Sequence, residues 1–398
     1  MKLKAFISVV LMICFSLASC APNEVSSSAL PTPSPSQPAA SSEPTAAPSE
    51  VSNPSINSGV ANLPVVSPLT DDEKNTLGSL RQVGDLPLYV MEHRGDYDPT
   101  LLGTLNKAFG IAPACSTFAV KGSADTIFAR NHDFFDTSAL LLYNKPTNGY
   151  ASISLVDLTH IGFPDGQNLT ELPAEQLSRL LYAPYVPIDG MNECGLAIGI
   201  MTVPQASHLS KDAPKVFFLS ASREILDQAK NTAEAISILE NYQVEFSALP
   251  AHFLIADKSG DMAVVEFVRG KMQVLRSTSN WQAATNFVLC DSEGLLDTFR
   301  NSGTKDRKSM IDDSFWRYTM IEDTLSTAED GLGFSDAMGL LKTVSTLERD
   351  NVINNTQWSV VYGLVSARVE LAVHMDYDKV VSFQFDKEGN LFEQISVQ

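Results

Sequence analysis

Residues 21–68 limit the possible folds more than any other stretch. Ten of the chain's 21 prolines and twelve serines lie between Ala21 and Pro68, with no aromatic residue, lysine or arginine. Such a segment cannot bury enough apolar surface to offset the entropy lost on ordering. It reads as an extended tether, reaching from ~40 Å as a coil to ~150 Å as polyproline II. Folding is therefore confined to about Leu69 to Gln398. The chain is 44% hydrophobic, which supplies a real core and excludes a fibre or a disulfide-dense miniprotein. Its 398 residues suggest two or three domains at ~150 residues each. A net charge of −19 repels phosphate backbones, so no nucleic-acid partner is expected. The same charge repels anionic lipid, so any membrane attachment must have another source.

The N-terminus offers one. Met1-Lys2-Leu3-Lys4 is a short basic opening, and Ala5 to Leu17 is an apolar run too short to span as a stable helix. Leu17-Ala18-Ser19-Cys20 closes the run and resembles a bacterial lipoprotein lipobox. On that resemblance residues 1–19 are a signal peptide and 20–68 are a lipidated Cys20 with its disordered tether. The protein would then sit outside the cell, anchored to the membrane by lipid. An ordinary signal peptide cut near Ala18-Ser19-Cys20-Ala21 is the other reading.

Beyond the tether, Leu86 to Met91 reads as a strand. Cys115 to Val120 and Thr126 to Arg130 form a hairpin about Lys121-Gly122-Ser123-Ala124-Asp125. Tyr150 to Val156 alternates as a strand, and Leu172 to Tyr182 has helical spacing. A turn at Met191 to Gly195 precedes a strand ending at Val203. Two amphipathic helices occupy Ser220 to Tyr242, the second starting at Asn231-Thr232. His252 to Ala256 and Met262 to Val268 form another hairpin. Helices are expected over Asp313 to Leu325 and Ser335 to Val344, and a closing meander over Ser359 to Phe385. Strands first, helices in the middle and strands last indicate an α+β fold with sheet stacked on sheet.

Six scattered histidines, with no His-Glu-x-x-His and no paired Cys-x-x-Cys, give no zinc pattern, and no cofactor motif is present. A Gly-x-Ser-x-Gly elbow is also absent. Three cysteines remain in the exported part, and Cys194–Cys290 reads either as a disulfide or as two buried thiols. Cys115 differs. It opens a strand whose hairpin partner ends in Arg130-Asn131-His132-Asp133, so Arg130 and Asp133 are expected to face it. A cation beside a thiol favours the nucleophilic thiolate. Spacing alone leaves open a buried structural cysteine beside a surface ion pair.

Ala114-Cys115-Ser116-Thr117-Phe118-Ala119, with Ala129-Arg130-Asn131-His132-Asp133-Phe134, resembles the start of the catalytic domain in linear-amide C–N hydrolases. These are the N-terminal-nucleophile group of choloylglycine hydrolases, penicillin V acylases, acid ceramidase and N-acylethanolamine amidase. Leu86 to Tyr89 with Gly95-Asp96-Tyr97, Tyr150 to Ser154, Gly190 to Leu196, Ala284-Thr285-Asn286, Ser314 to Tyr318 and Trp358 to Tyr362 follow in the same order. The resemblance implies a four-layer αββα sandwich of two antiparallel sheets. It divides the chain into a pro-segment over 69–114 and a catalytic domain over 115–398. It implies that Cys115 is the nucleophile, freed by cleavage after Ala114, with its own α-amine as base. Arg130 would polarise the thiolate, Asp133 would orient the amine, Asn286 would donate to the oxyanion, and Arg317 would support the pocket. The expected substrate is a small N-acyl amide, and the N-terminal fragment is expected to stay docked.

The sequence departs from the family where a further oxyanion donor is expected, since Thr202 stands at that position. Asn192 reads as a turn residue or a pocket residue, and Glu193 as a further pocket candidate. An acyltransferase of the same fold and an inactive surface binding module remain the alternative functions.

Overall fold

The computed structural model describes residues 62–98, 101, 114–210, 212–246, 249–303, 306–307, 309–347, 355–385 and 391–395. The expected signal segment, Cys20, the expected tether as far as 61 and residues 102–113 lie outside the described residues.

Two sheets carry the fold. The first has nine strands in the order β1-β2-β5-β6-β7-β8-β11-β12-β13. These are β1 (Arg81–Gln82), β2 (Leu88–Arg94), β5 (Ala139–Lys145), β6 (Ser152–Asp157), β7 (Asp189–Asn192), β8 (Leu196–Thr202), β11 (Ala251–Asp257), β12 (Met262–Val268) and β13 (Lys271–Arg276). The second has seven, in the order β14-β3-β4-β15-β16-β17-β18. They are β3 (Ala114–Lys121), β4 (Thr126–Phe134), β14 (Trp281–Ala284), β15 (Asn355–Gly363), β16 (Arg368–Val373), β17 (Val381–Phe385) and β18 (Leu391–Ile395). A short parallel ribbon of β9 (Lys215–Phe217) and β10 (Gln243–Glu245) stands apart. Both large sheets are antiparallel except for the seam between β2 and β5. There the chain leaves for the second sheet before returning, and a parallel neighbour needs such a crossover.

Helices cover the outer faces. Besides α1 (Asp71–Gly78) and the single-turn α2 (Ala174–Leu177), these are α3 (Phe218–Gln228) and α4 (Thr232–Glu240), which pack on the first sheet. Three more, α5 (Leu289–Asn301), α6 (Met310–Leu325) and α7 (Phe334–Thr343), lie with the second sheet, α6 and α7 directly on its strands. Asn231 caps α4 by accepting from Glu234 N, as its sequence position indicates. The expected helix over Leu172 to Tyr182 is a correction. Only α2 is α-helical there, followed by a 3₁₀ stretch over Ser178–Tyr185 that contains Pro184, whose missing N–H cannot continue an α-helical ladder.

Alternation along β4 separates the two cores. Phe128 belongs to the core between the sheets, with Trp358, Tyr362, Ile198 and Phe253. Ile127 and Ala129 belong to the core under the helices, with Phe315, Ile321 and Leu341. Successive side chains on a strand point to opposite faces, so Arg130 and His132 point between the sheets, while Asn131 and Asp133 point to the helices. Segment 71–94 is built into the same architecture, since β2 buries Leu88, Tyr89, Val90 and Met91 beside β5.

Candidate active site

The β3–β4 hairpin sets the site. Its register places Cys115 opposite His132, and Ala114 opposite Asp133. The Cys115 side chain therefore shares the inter-sheet face with Arg130 and His132. Arg130 Nη2 donates to Cys115 Sγ at 3.2 Å and to the Ile200 carbonyl at 2.7 Å. Its Nη1 donates to Asp189 Oδ2 at 2.8 Å, and both side chains are fully buried. Asp189 also accepts from Trp358 Nε1 at 3.1 Å and from the Tyr362 hydroxyl at 2.5 Å. In the uncut chain burial pushes the Cys115 thiol up; Arg130 pulls the other way and Asp133 adds to the rise.

Asp133 lies one residue off the expected face. Its carboxylate points to the helix side, where the hydroxyls of Thr356 and Thr346 donate to it at 2.6 and 3.0 Å. Arg317 Nη1 is 3.9 Å away. Burial pushes Asp133 up to about 6, against the pull of Arg317 and the two hydroxyls. It thus approaches Cys115 from the backbone side and not beside the thiol, because a one-residue step in a strand reverses the face.

Arg317, on α6, binds the nucleophile's backbone. Its Nη1 donates to the Cys115 carbonyl and to Ser116 Oγ at 2.7 Å, and its Nη2 to Asn286 Oδ1 at 3.0 Å. Asp313, one turn earlier, accepts from Arg317 Nε at 2.8 Å. Burial pushes Asp313 up, but Arg317 and Arg307 outweigh it and hold the carboxyl below the ordinary range.

Asn286 follows β14. Its Oδ1 accepts from the Cys115 amide N–H at 2.6 Å, and its Nδ2 donates to the Thr202 carbonyl at 2.9 Å. The expectation was a side-chain donor facing an oxyanion. Its oxygen instead faces the main-chain nitrogen of Cys115. Thr202 ends β8, and its hydroxyl accepts from Asn286 Nδ2 at 3.3 Å.

Asn192 and Glu193 lie elsewhere. Asn192 Nδ2 donates to the carbonyls of Leu226 and Ala229, while its Oδ1 accepts from Cys194 N and Leu196 N. The amide is fully engaged in holding a turn, so a pocket role for Asn192 is corrected to a structural one. Glu193 accepts from Ala151 N. The same turn meets Lys258, whose carbonyl accepts from Thr126 Oγ1 at the far end of β4. That is six residues from His132, or ~20 Å along a strand. Neither residue reaches Cys115. Cys194 is half-buried and Cys290 exposed, both free thiols, so neither the disulfide nor the buried pair is found.

Sequence reading missed four supports. Asp189 has its partner Arg130 59 residues away and leaves no local signal, whereas His252 and Glu266, 14 residues apart, lie on the two strands of the expected hairpin. Asp313 stands four residues before Arg317, an i, i+4 pairing visible on any helix. His132 stacks on Trp358 at 4.0 Å between ring centroids, and its Nε2 faces Asp157 Oδ2 at 3.2 Å. Burial lowers His132 to about 4. Among the described residues no cluster of metal-ligating side chains occurs.

Residues 120–376 match the family described as acyl-coenzyme A:6-aminopenicillanic acid acyl-transferase. The chain belongs to that family. The match takes in Arg130, Asp133, Thr202, Asn286 and Arg317 and begins just after Cys115. A penicillin V acylase of Pectobacterium atrosepticum is 31% identical over 124 residues, or 28% of this chain and 33% of that relative. The chain thus spans about a third of the length of this curated relative. Two variants of the conjugated bile acid hydrolase of Clostridium perfringens share the fold. Each has a TM-score of 0.50 and 14% identity, covering 70% and 71% of this chain and 96% and 97% of theirs. Family and fold together place the chain among the N-terminal-nucleophile hydrolases, with the expected α+β arrangement of two stacked sheets and outer helices.

Proposed function

We propose that this acyl-transferase family member is an amidase that hydrolyses linear C–N bonds of N-acyl compounds, with Cys115 as N-terminal nucleophile. One observation carries the reading. A buried cysteine at the start of a strand has a guanidinium nitrogen 3.2 Å from its sulfur, and its main-chain nitrogen rests on Asn286 Oδ1. In a chain cut between Ala114 and Cys115 that nitrogen becomes an α-amine, titrating near ~7.7–8.0 and suited to act as base near neutral pH.

The amine takes the thiol proton, and the thiolate attacks the acyl carbonyl carbon. The tetrahedral intermediate collapses to a thioester, and the leaving amine takes the proton back from the α-ammonium. Water, deprotonated by the α-amine, then attacks the thioester and releases the acid and the free thiol. Arg130, fixed by Asp189, favours the thiolate. Arg317 and Asn286 fix the Cys115 backbone, and Asp133 supplies negative charge for the α-ammonium. Soon after Thr202 the chain borders a cavity of about 380 Å³ lined by Ala206, His208, Phe217, Val244 and Phe246 among others. Its walls are mixed, with Ser207, Gln243 and Glu245 beside the apolar residues.

The family's description favours a second reading, in which an amine and not water resolves the thioester. We further infer a lipid anchor at Cys20, with the enzyme outside the cell, and a cut N-terminal fragment that stays docked. The seven paired positions of β2 along β5 support the docking. Incubation of the cut protein with a panel of N-acyl amino acids separates the functions. Free acid and amine are the expected products. Exchanged amides would mean a transferase, and no product a binding module.

A further inference from the structure

Behind Asn286 lies a buried ion pair that the reaction described above does not use. His252 on β11 and Glu266 on β12 are each 1% exposed. His252 Nδ1 is 3.0 Å from Glu266 Oε1, and His252 Nε2 is 2.8 Å from the Thr285 carbonyl oxygen. Glu266 also accepts from the first two N–H groups of α5, Leu289 N at 2.7 Å and Cys290 N at 3.0 Å. A carboxylate that accepts from two backbone N–H groups at a helix N-terminus is in its charged form. A main-chain carbonyl never donates. Both ring nitrogens thus face acceptors, and a neutral imidazole has only one N–H. The arrangement is satisfied only by the doubly protonated ring.

We propose that His252, as a buried imidazolium between Glu266 and the Thr285 carbonyl, is the positioning residue that holds Asn286 against the nitrogen of Cys115. This rests on the amidase reading for its effect on turnover, but not for the protonation state. Thr285 is the residue before Asn286, and Ser314 holds the turn from the other side, its Oγ accepting from Asn286 N at 2.7 Å and its carbonyl from Thr285 Oγ1 at 3.0 Å. Loss of the ring proton would leave one acceptor unpaired and free the turn on that side. The titratable groups around the pair are few. The Cys290 thiol faces Glu266 and is pushed up to about 12 by burial and by that carboxylate. Asp291 is engaged by Arg269 at 2.7 Å. Across from His252 on β8 stands Met201, which is uncharged.

The test uses the full chain labelled with ¹⁵N-histidine, the His252 signals being assigned from their loss in His252→Gln. The expected result is two ring N–H protons on His252 at pH 7.5. A singly protonated ring at pH 7.5 would overturn the proposal, whatever the enzyme does. Positioning is read separately, from exchange of the Asn286 side-chain amide with solvent. It should quicken at least about tenfold in His252→Phe and less in His252→Gln, as expected when one hydrogen bond is lost. On an N-acyl amino acid, kcat should fall about tenfold in His252→Phe with KM little changed. Unchanged amide exchange in a folded His252→Phe would overturn the positioning role. If no protein in the series turns over any amide, the ring protons and the amide exchange still decide the proposal, and the amidase reading alone fails.

Discussion

Arg130 and Asp189, 59 residues apart in sequence, meet at 2.8 Å in the core between the two sheets, and that ion pair aims the other arm of the guanidinium at Cys115 Sγ. Burial pushes Asp189 up, while Arg130 and the hydrogen bonds from Tyr362 and Trp358 oppose the rise. Asp189→Asn removes the charge but keeps the shape. Breaking a buried pair from one side costs ~3–5 kcal/mol, so a clear drop in the midpoint of thermal unfolding is expected. Turnover should fall further than that of a control variant of equal stability elsewhere. A variant as stable and as active as wild type would show that Asp189 does not hold Arg130.

Asp133 sets an acid limit. Its carboxyl is pushed up to about 6, so protonation removes its charge as pH falls through that region. Cutting the chain places an α-ammonium nearby, which favours the charged carboxylate and moves the limit to about 6 or below. A pH profile of kcat/KM should fall on the acid side there. In Asp133→Asn this limb should flatten and kcat should be reduced at every pH, with cleavage of the chain still measurable. A limb unchanged by the substitution would assign it to another group.

Burial lowers His132 to about 4, against ~6.5 in an unfolded chain. Between those values the unfolded state binds a proton that the folded state does not. Stability is therefore full above ~6.5 and falls as pH drops toward 4, by at most about 1.4 kcal/mol per pH unit. Thermal unfolding of wild type and His132→Gln at pH 7, 6 and 5 compares the slopes. The substituted protein should lose less stability per unit, and parallel curves would show that His132 does not titrate in this way.

Much of this was legible before any coordinates. The hairpin carrying Cys115 and Arg130 follows from alternation and a glycine-containing turn, and Asn231 announces its helix through a capping side chain. Of the segments passed over, strand Ala139–Lys145 is a buried apolar run that alternation does not mark, and two others have weaker local signals. Helix Leu289–Asn301 carries Gly294 inside it, which lowers its helix propensity, and only Ser292, Leu296 and Phe299 are buried. Strand Lys271–Arg276 is an edge strand with four exposed residues in six, so its pattern resembles a loop. At the site, Arg130, Asn286 and Arg317 were singled out because a family motif carries them, and Thr202 by counting to a position where the sequence departs from the family. Asp189 was not, because what makes it important is a contact with a distant strand, and Glu266 was not, although its partner His252 stands on the other strand of the expected hairpin. The error on Asp133 was one of strand parity, since adjacency in a hairpin says nothing of which face a side chain takes until the register is known.

The anchor is tested by Cys20→Ala. In a bacterial host the wild-type protein should be found in the membrane fraction, and the variant in the medium or left with its signal segment uncut. A correctly processed variant that remains with the membrane would exclude lipid at Cys20 as the anchor.

The central claim is that Cys115 becomes an N-terminal nucleophile. Mass spectrometry of the active protein, before and after a brief incubation with an N-acyl amino acid, tests it most directly. The account predicts a fragment beginning at Cys115, an acyl adduct on that fragment, and an intact, inactive chain in Cys115→Ala, while Cys194→Ala behaves as wild type. A fully active chain still joined between Ala114 and Cys115, or an adduct on Cys194, would contradict it.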